Sequence, residues 1–340
     1  MRKTFLLFIA LLGCAILSAQ IPEGYYNQAE GLKGQELKEA LHNIIKNHKT
    51  YSYDDLRDFI LRESDEDPEN SNNVIVIYSG RSYPKNDFGG GANDWNREHV
   101  WAKSHGDFGT KRPAGSDAHH IRPCDASVNS SRGNKDFDIG GTPHKEAAGC
   151  FADKDSWEPR DEVKGDVARM LFYMATRYEG EGQEPDLELN EKVNNGKTPF
   201  HGKLSALLEW HKQDPPDAFE KRRNEVVFSY QENRNPFIDH PEYVIGVYEP
   251  DQYTSVDDII KEQPLIFYKR GQNILNVDLS MFDSAQSVNS ALYDITGTLV
   301  KEISCKAGQQ NNISLVNNSN GVYIIKLKVG EQVFSHKIIL

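Results

Sequence analysis

Three short runs of the chain combine side chains that could hydrolyse a phosphodiester. They are residues 96–101 (Asn-Arg-Glu-His-Val-Trp), 117–123 (Asp-Ala-His-His-Ile-Arg-Pro) and 128–134 (Val-Asn-Ser-Ser-Arg-Gly-Asn). The imidazole of His99 can take a proton from water near neutral pH. Glu98 and Asn129 offer an anionic and a neutral oxygen, and Mg²⁺ prefers few protein ligands with oxygen donors. A lone Glu-His pair is usually structural, so it is the combination of the runs that indicates a one-metal hydrolytic site.

Positive charge lies in and beside these runs. Arg122 and Arg132 carry planar guanidinium groups, which bind phosphate oxygens well, so we expect one of them to steady the phosphate as a catalytic residue. Lys111, Arg112 and Lys135 lie nearby in the sequence. The two lysines could equally form an ordinary solvated face.

The adjacency of Glu98 and His99 restricts the local backbone. Neighbouring side chains on a strand point to opposite faces, so both can serve one site only if the strand ends or bends there. Residues 125–134 are expected to form the short helix that presents Asn129. If Asn129 only caps that helix, Asn134 is the next candidate ligand.

The spacing of apolar residues predicts the supporting elements. Helices are expected over residues 31–48, 163–178, 204–211 and 218–230. A further short helix should run through Ile60, with Ser52 or Asp54 as a candidate cap. The β-branched run 74–78 predicts a strand.

Past Pro250 the composition changes to polar residues and strand-like runs. These runs are residues 275–279, 290–294, 322–327 and 333–338. With turns at Gly297 and Gly321 they predict a small all-β sandwich over 264–340, after a linker at 256–263. The predicted fold class is therefore α+β, with a mainly helical domain at 20–255 followed by the sandwich.

The first nineteen residues are typical of a signal peptide. Arg2 and Lys3 precede an apolar run that is too short to span a bilayer, and a cleavage site lies before Gln20. Cys14 could alternatively mark a lipoprotein signal. We therefore expect a secreted protein without a membrane span.

Two cysteines lie in the predicted catalytic region. In an exported protein Cys124 and Cys150 could form a disulfide, and two free, buried thiols are the alternative. His119 and His120 are adjacent, but the sequence offers no further His or Cys ligands at a spacing that suits zinc. His119 is therefore expected to orient a catalytic group or the backbone.

Together with residues 233–241 (Asn-Arg-Asn-Pro-Phe-Ile-Asp-His-Pro), the three runs resemble the bacterial extracellular endonuclease I family of the ββα-metal superfamily. The resemblance covers residues 24–245 and implies a ββα-metal finger. It also implies metal ligands at Glu98 and Asn129, a general base at His99, and Mg²⁺ as the ion, with Ca²⁺ or Mn²⁺ as alternatives. The expected activity is largely nonspecific cleavage of DNA, with RNA as an alternative substrate, to 5′-phosphate products.

The C-terminal region carries a second resemblance. Residues 292–297 (Leu-Tyr-Asp-Ile-Thr-Gly) and 320–323 (Asn-Gly-Val-Tyr) are similar to C-terminal sorting domains of the type IX secretion pathway. This implies the type IX secretion machinery as a partner. The runner-up is a carbohydrate- or protein-binding module, which no cluster of tryptophans or acidic calcium loop supports.

The overall charge limits the classes of function. A net charge of -12 argues against a protein that coats nucleic acid electrostatically, but not against an enzyme with a locally basic cleft. The chain is expected to act as a monomer. Two alternatives stay open: a non-catalytic extracellular protein that binds nucleic acid or mediates adhesion, and a metal phosphoesterase for small substrates.

Overall fold

The computed structural model describes residues 21–91, 93–253, 264–269, 273–316, 319, 321–330 and 332–340. They fall into two compact units, divided after Tyr253. The predicted signal peptide at 1–19, its Cys14 and the predicted linker at 256–263 lie outside the described residues.

The N-terminal unit is a mixed assembly of helices and small sheets. Its helices are α1 Gly34–Ile45, α2 Tyr53–Asp55, α3 Leu61–Ser64, α4 Ala126–Arg132, α5 Lys164–Arg177, α6 Leu204–Gln213, α7 Ala218–Gln231, α8 Pro236–Asp239 and α9 Glu242–Tyr248. A π-helical turn, Leu56–Ile60, joins α2 to α3. Its strands are β1 Glu66–Asp67, β2 Asn70–Ile75, β3 Ser82–Pro84, β4 Trp95–His99, β5 Ile121–Asp125, β6 Asp136–Phe137, β7 Thr142–Pro143, β8 Phe151–Ala152, β9 Ser156–Glu158, β10 Glu188–Leu189 and β11 Phe200–His201.

The helices expected from the apolar spacing are confirmed as α1, α5, α6 and α7, and the short helix expected to carry Asn129 is confirmed as α4. The expected cap at Ser52 is also confirmed. Its hydroxyl accepts a 3.1 Å hydrogen bond from the Asp55 amide, and the Asp55 carboxylate accepts one from the Ser52 amide, which forms a capping box.

The strand predicted at 74–78 is wrong beyond Ile75. Val76, Ile77 and Tyr78 are fully buried, but they lie in a turn rather than in a sheet. The Val76 amide donates to the Arg81 carbonyl at 3.0 Å, across a turn in which Gly80 adopts a φ of 68°. Beyond Ile75 the apolar run therefore reflects burial in the core and not strand pairing.

Helix α5 passes through the main core and is buried along its whole length. Tyr173 from this helix and Tyr178, just after it, each donate a 2.8 Å hydrogen bond to Oδ2 of the fully buried Asp117. Gln231 from α7 donates to Oδ1 of the same carboxylate at 3.0 Å. These bonds fix the segment that leads into β5, because a buried carboxylate needs its donors to remain in place.

Strands β4 and β5 pair in antiparallel fashion, with Glu98 opposite Arg122 and His99 opposite Ile121. Helix α4 begins directly after β5. This β4–β5–α4 segment brings residues 96–101, 117–123 and 128–134 into one local unit.

The C-terminal unit is all-β, as predicted. Its strands are β12 Leu265–Lys269, β13 Ile274–Asp278, β14 Val288–Asp294, β15 Leu299–Ile303, β16 Gln310–Ser314, β17 Val322–Val329 and β18 Gln332–Ile339. They form a sheet of order β12-β13-β16 and a sheet of order β15-β14-β17-β18. Leu275 and Val277 of the first sheet share one hydrophobic core with Leu292 and Ile325 of the second.

Candidate active site

A cavity of about 370 Å³ lies at the end of β4 and beside α4. Its lining includes all three residues expected to carry the chemistry: Glu98, His99 and Asn129. His99 is the last residue of β4, so the strand ends there. Both neighbouring side chains therefore reach one cavity, as the sequence requires of a shared site.

Glu98 presents one oxygen to the protein and keeps the other free. Its Oε1 accepts a 2.7 Å hydrogen bond from the hydroxyl of Tyr78 and lies 3.2 Å from Nη1 of Arg132. Oε2 has no hydrogen-bond partner in the part of the chain that the structure describes. Burial raises the pKa of Glu98, while Arg132 and the bond from Tyr78 oppose that rise. A cation in the cavity would favour the carboxylate further.

The ring of His99 is held in a defined tautomer. Its Nε2 lies 3.2 Å from the carbonyl oxygen of Gly115, and a carbonyl only accepts, so Nε2 carries the proton. Nδ1 keeps the lone pair and has no protein partner among the described residues. The ring stacks on Tyr53 with centroids 5.3 Å apart. Burial and the neighbouring His120 lower the pKa of His99 well below its usual value, so Nδ1 is unprotonated at neutral pH.

The amide of Asn129 is oriented by two acceptors. Its Nδ2 donates to Oδ1 of Asn96 at 2.7 Å and to the carbonyl of Arg97 at 3.0 Å. This orientation turns Oδ1 away from β4, and within the described residues Oδ1 has no hydrogen-bond partner. Asn129 lies inside α4, whose N-cap is Asp125. It is therefore not the cap of this helix.

The two candidate arginines occupy different places. Arg132 is fully buried beside the cavity, where Nη1 donates to the His99 carbonyl at 3.0 Å and Nη2 to the Val100 carbonyl at 2.8 Å. Arg122 is also buried, but its guanidinium pairs with Asp65 and Asp166 and is not part of the cavity lining. Neither guanidinium is exposed to an incoming phosphate, and the role predicted for them stays a prediction.

Lys103 is the exposed cation of the cavity lining, and sequence reasoning missed it. Its positive charge lowers the pKa of both Glu98 and His99. Arg97 also lines the cavity, but its guanidinium lies over the Tyr53 ring, 3.5 Å from the centroid, and donates to the Tyr53 carbonyl. Lys103 follows the Glu-His run by a few positions, which was the available signal.

A second group of chemically capable residues lies next to Arg132. His105, Asp136 and His201 are buried, and their ligand atoms lie close enough together that they could hold a metal ion. Sequence reasoning found no such set, because the three residues are separated by long stretches of chain. A 3.3 Å contact joins Nε2 of His201 to Nη2 of Arg132 and so links the group to the cavity.

Of the two alternatives for Cys124 and Cys150, a disulfide or two free thiols, the structure shows the second. Cys124 and Cys150 are free, buried thiols, so the predicted disulfide is not present. Cys150 donates instead to the Tyr78 carbonyl at 3.3 Å, and burial raises the pKa of both thiols.

Among the described residues, no helix combines the length and the apolar character needed to cross a membrane.

The arrangement suits a hard divalent cation. Glu98 Oε2 and Asn129 Oδ1 are unpaired oxygens of the kind that Mg²⁺ binds, and His99, which lines the same cavity, has an unpaired Nδ1 that can accept a proton. Each atom is left free because another atom of the same side chain is bonded to the protein. One cavity is therefore lined by two residues with such oxygens and by a neutral imidazole.

Comparison with known proteins identifies the family of each unit. The Endonuclease I family model matches residues 33–242, and the model of a secretion system C-terminal sorting domain matches residues 271–340. An extracellular ribonuclease of Bacillus subtilis is 61% identical over 220 residues, which cover 64% of this chain and 76% of the relative. An extracellular ribonuclease of Bacillus amyloliquefaciens is 60% identical over 222 residues, covering 65% and 76%. An extracellular deoxyribonuclease of Aeromonas hydrophila is 31% identical over 130 residues, covering 36% and 49%. The chain therefore belongs to the endonuclease I family and is a secreted endonuclease with a C-terminal sorting domain.

Proposed function

We propose that this endonuclease hydrolyses both RNA and DNA, with little sequence preference, and that one Mg²⁺ ion bound by Glu98 and Asn129 is required. The observation that carries the proposal is that three residues lining one cavity each keep an unpaired polar atom: Oε2 of Glu98, Oδ1 of Asn129 and Nδ1 of His99. On this proposal β4, β5 and α4 form the ββα-metal finger of the superfamily. Ca²⁺ or Mn²⁺ could replace Mg²⁺.

In the proposed mechanism His99 supplies the base. Its Nδ1 takes a proton from the attacking water, while the Gly115 carbonyl holds the opposite ring nitrogen. Lys103 lies in the cavity lining, where its ammonium group can bind a non-bridging phosphate oxygen. Arg132 keeps Glu98 and the end of β4 in place. The divalent ion, when bound, supplies positive charge against the phosphate and the departing oxygen.

If water is the nucleophile, its attack determines both the range of substrates and the chemical ends of the products. When water attacks phosphorus and the 3′ oxygen leaves, the product carries a 5′-phosphate and the 2′-hydroxyl takes no part. Such a reaction does not distinguish RNA from DNA, and the relatives include both ribonucleases and a deoxyribonuclease. Contacts to the phosphate backbone carry no base information, which is why little sequence preference is expected.

The test uses the purified secreted chain on a supercoiled plasmid and on a structured RNA, with Mg²⁺ and after exhaustive chelation. We expect both substrates to be cleaved with Mg²⁺ and neither after chelation. End-labelling of the products should show 5′-phosphates. Cleavage of RNA that survives chelation would overturn the metal requirement. RNA products with 2′,3′-cyclic phosphate ends would overturn the mechanism, because the 2′-hydroxyl and not water would then be the nucleophile.

The wider organisation completes the proposal. Residues 20–255 form the catalytic domain of a monomeric enzyme, and residues 264–340 direct it to the type IX secretion machinery. The match of residues 271–340 to a secretion sorting domain supports this assignment.

A further inference from the structure

A chain of buried contacts leads from Asp136 to Glu98. Asp136 Oδ1 lies 3.1 Å from Nδ1 of His201, Nε2 of His201 lies 3.3 Å from Nη2 of Arg132, and Nη1 of Arg132 lies 3.2 Å from Oε1 of Glu98. All four side chains are at least nine-tenths buried. This series of contacts starts at Asp136 on β6, continues through His201 on β11 and reaches the cavity through Arg132 on α4.

The contacts of His201 fix its tautomer. Nδ1 faces two acceptors, Asp136 Oδ1 and the carbonyl of Gly202 at 3.3 Å, so it carries the proton. Nε2 faces a guanidinium, which only donates, so it keeps the lone pair. Burial lowers the pKa of His201 to about 4, so at neutral pH the ring holds a single proton. The ring is therefore an acceptor for Arg132.

The same contacts argue against a metal ion in this group. An ion on Nδ1 of His201 would move the ring proton to Nε2, where it would face an N–H of Arg132. Both nitrogens of His105 face carbonyl oxygens, Nδ1 that of Phe200 at 2.8 Å and Nε2 that of Asn134 at 2.9 Å, and a neutral ring can donate to only one of them. The contacts of His201 are therefore the ones that disfavour a metal ion in this group.

Arg132 is held so that it can act on several parts of the site. Its guanidinium lies 4.7 Å from the ring centroid of Phe137, and that ring stacks on His201 with planes 20° apart. One face of the guanidinium is thus covered, and its edges are directed at the His99 carbonyl and at Glu98. Because Arg132 lies one turn after Asn129 on α4, it ties the helix of one ligand to the carboxylate of the other.

We propose that Asp136 and His201 are positioning residues that act through Arg132: they set the orientation of Glu98 and thereby the affinity of the cavity for its divalent ion. The inference rests on the proposed function, because it assumes that Glu98 is a metal ligand. Residues that hold a metal-binding carboxylate in place without touching the metal commonly lower metal affinity ten- to a hundredfold when they are removed.

The test measures Mn²⁺ binding by electron paramagnetic resonance, and thermal melting, on the full secreted chain. His201→Phe keeps a ring on Phe137 but removes both nitrogens, and it should weaken Mn²⁺ binding by roughly tenfold. In His201→Gln the side-chain amide can donate and accept, so this variant should bind more tightly than His201→Phe. The matched control is His211→Phe, because His211 is a buried histidine that also contacts an arginine, Arg169, at 3.4 Å. It should melt earlier and bind Mn²⁺ like the parent.

Three outcomes would overturn the inference. His201→Phe could bind Mn²⁺ like the parent, which would make the residue structural. His211→Phe could lose as much affinity for Mn²⁺ as His201→Phe, which would mean that any loss of a buried histidine weakens the site through general destabilisation. The purified parent could carry a tightly held transition metal that His201→Phe lacks, which would make the group a metal site. Glu98→Gln separates these results from a failure of the proposed function: if it binds Mn²⁺ like the parent, Glu98 is no ligand.

Discussion

The hydroxyl of Tyr78 donates a 2.7 Å hydrogen bond to Oε1 of Glu98, and both side chains are buried. The bond leaves Oε2 as the oxygen for a cation. In Tyr78→Phe the carboxylate loses this donor, so we expect the Mg²⁺ concentration at half-maximal rate to rise roughly tenfold. The free energy of unfolding should fall by about 1 kcal/mol.

The control for this variant is Tyr178→Phe, which removes a phenol bond to another buried carboxylate, that of Asp117. It should lower stability without changing the Mg²⁺ midpoint. Equal midpoints in both variants and the parent would show that Tyr78 does not orient a ligand.

A second prediction concerns Asn129. Asn129→Ala should weaken Mn²⁺ binding by one to two orders of magnitude, roughly the cost of losing an important contact in a metal site. In Asn129→Asp, an oxygen replaces the donor that faces Asn96 Oδ1 and the Arg97 carbonyl, both of which are acceptors. We therefore expect the Asp variant to melt below the Ala variant.

Metal titration and thermal melting of both variants check this prediction. Ser130→Ala on the same helix is the control, because its hydroxyl donates only to the Ala126 carbonyl. An Ala variant with normal metal affinity and a lowered melting temperature would show that the ligand lies elsewhere, with Asn134 in the same cavity as the next candidate.

A third prediction is that His99→Ala slows cleavage roughly a hundredfold or more, because the base is lost. Mn²⁺ binding should persist, since both proposed ligands remain, and added imidazole should restore part of the rate. His336→Ala, which removes an exposed histidine of the C-terminal unit, is the control. Single-turnover cleavage at saturating Mg²⁺ is the measurement, and an unchanged rate in His99→Ala would exclude it as the base.

A fourth prediction concerns the pH dependence of stability. Burial lowers the pKa of His119, His120 and His211 from 6.5 to about 4. Between these values the unfolded chain binds protons that the folded chain does not, so the free energy of unfolding falls as the pH falls from about 6.5 towards 4. Urea unfolding at pH 7.5, 6 and 5 measures the slope.

The variant His211→Phe removes one of these groups and should flatten that slope. Its absolute stability is not the readout, because the substitution also removes packing and a bond to the Pro241 carbonyl. A parent protein that is as stable at pH 5 as at pH 7.5 would contradict the prediction.

The fifth prediction concerns the C-terminal unit. A chain that ends at Glu262 lacks all of residues 264–340, so it should stay in the periplasm of its host and keep its nuclease activity. Activity assays on periplasmic and medium fractions measure this. The full chain is the control, and normal release of the shortened chain into the medium would contradict a sorting role.

The sequence predicted the local part of the site because its motif is local. Glu98, His99 and Asn129 lie on adjacent elements, so their meeting follows from one antiparallel strand pair and the helix after it. Tyr78 and His201 could not be inferred in this way. Both reach the site through tertiary packing, and no periodicity or spacing links them to the motif.

The roles of the two arginines could not be inferred from the sequence either. Residue type alone predicted a phosphate contact for Arg122 and Arg132, but a guanidinium serves a buried carboxylate equally well. Arg122 pairs with Asp65, at the end of α3, and with Asp166, on α5. Which role an arginine takes depends on burial, and burial is a property of the whole fold.

The buried carboxylate of Asp117 has a consequence for biosynthesis. Its donors Tyr173, Tyr178 and Gln231 are all made long after the motif itself. A nascent chain that has reached only residue 170 carries Glu98, His99 and Asn129, yet the segment leading into β5 still lacks these bonds. All three donors are present only once residue 231 has been made, so the segment leading into β5 gains its full set of bonds late in the synthesis of the N-terminal unit.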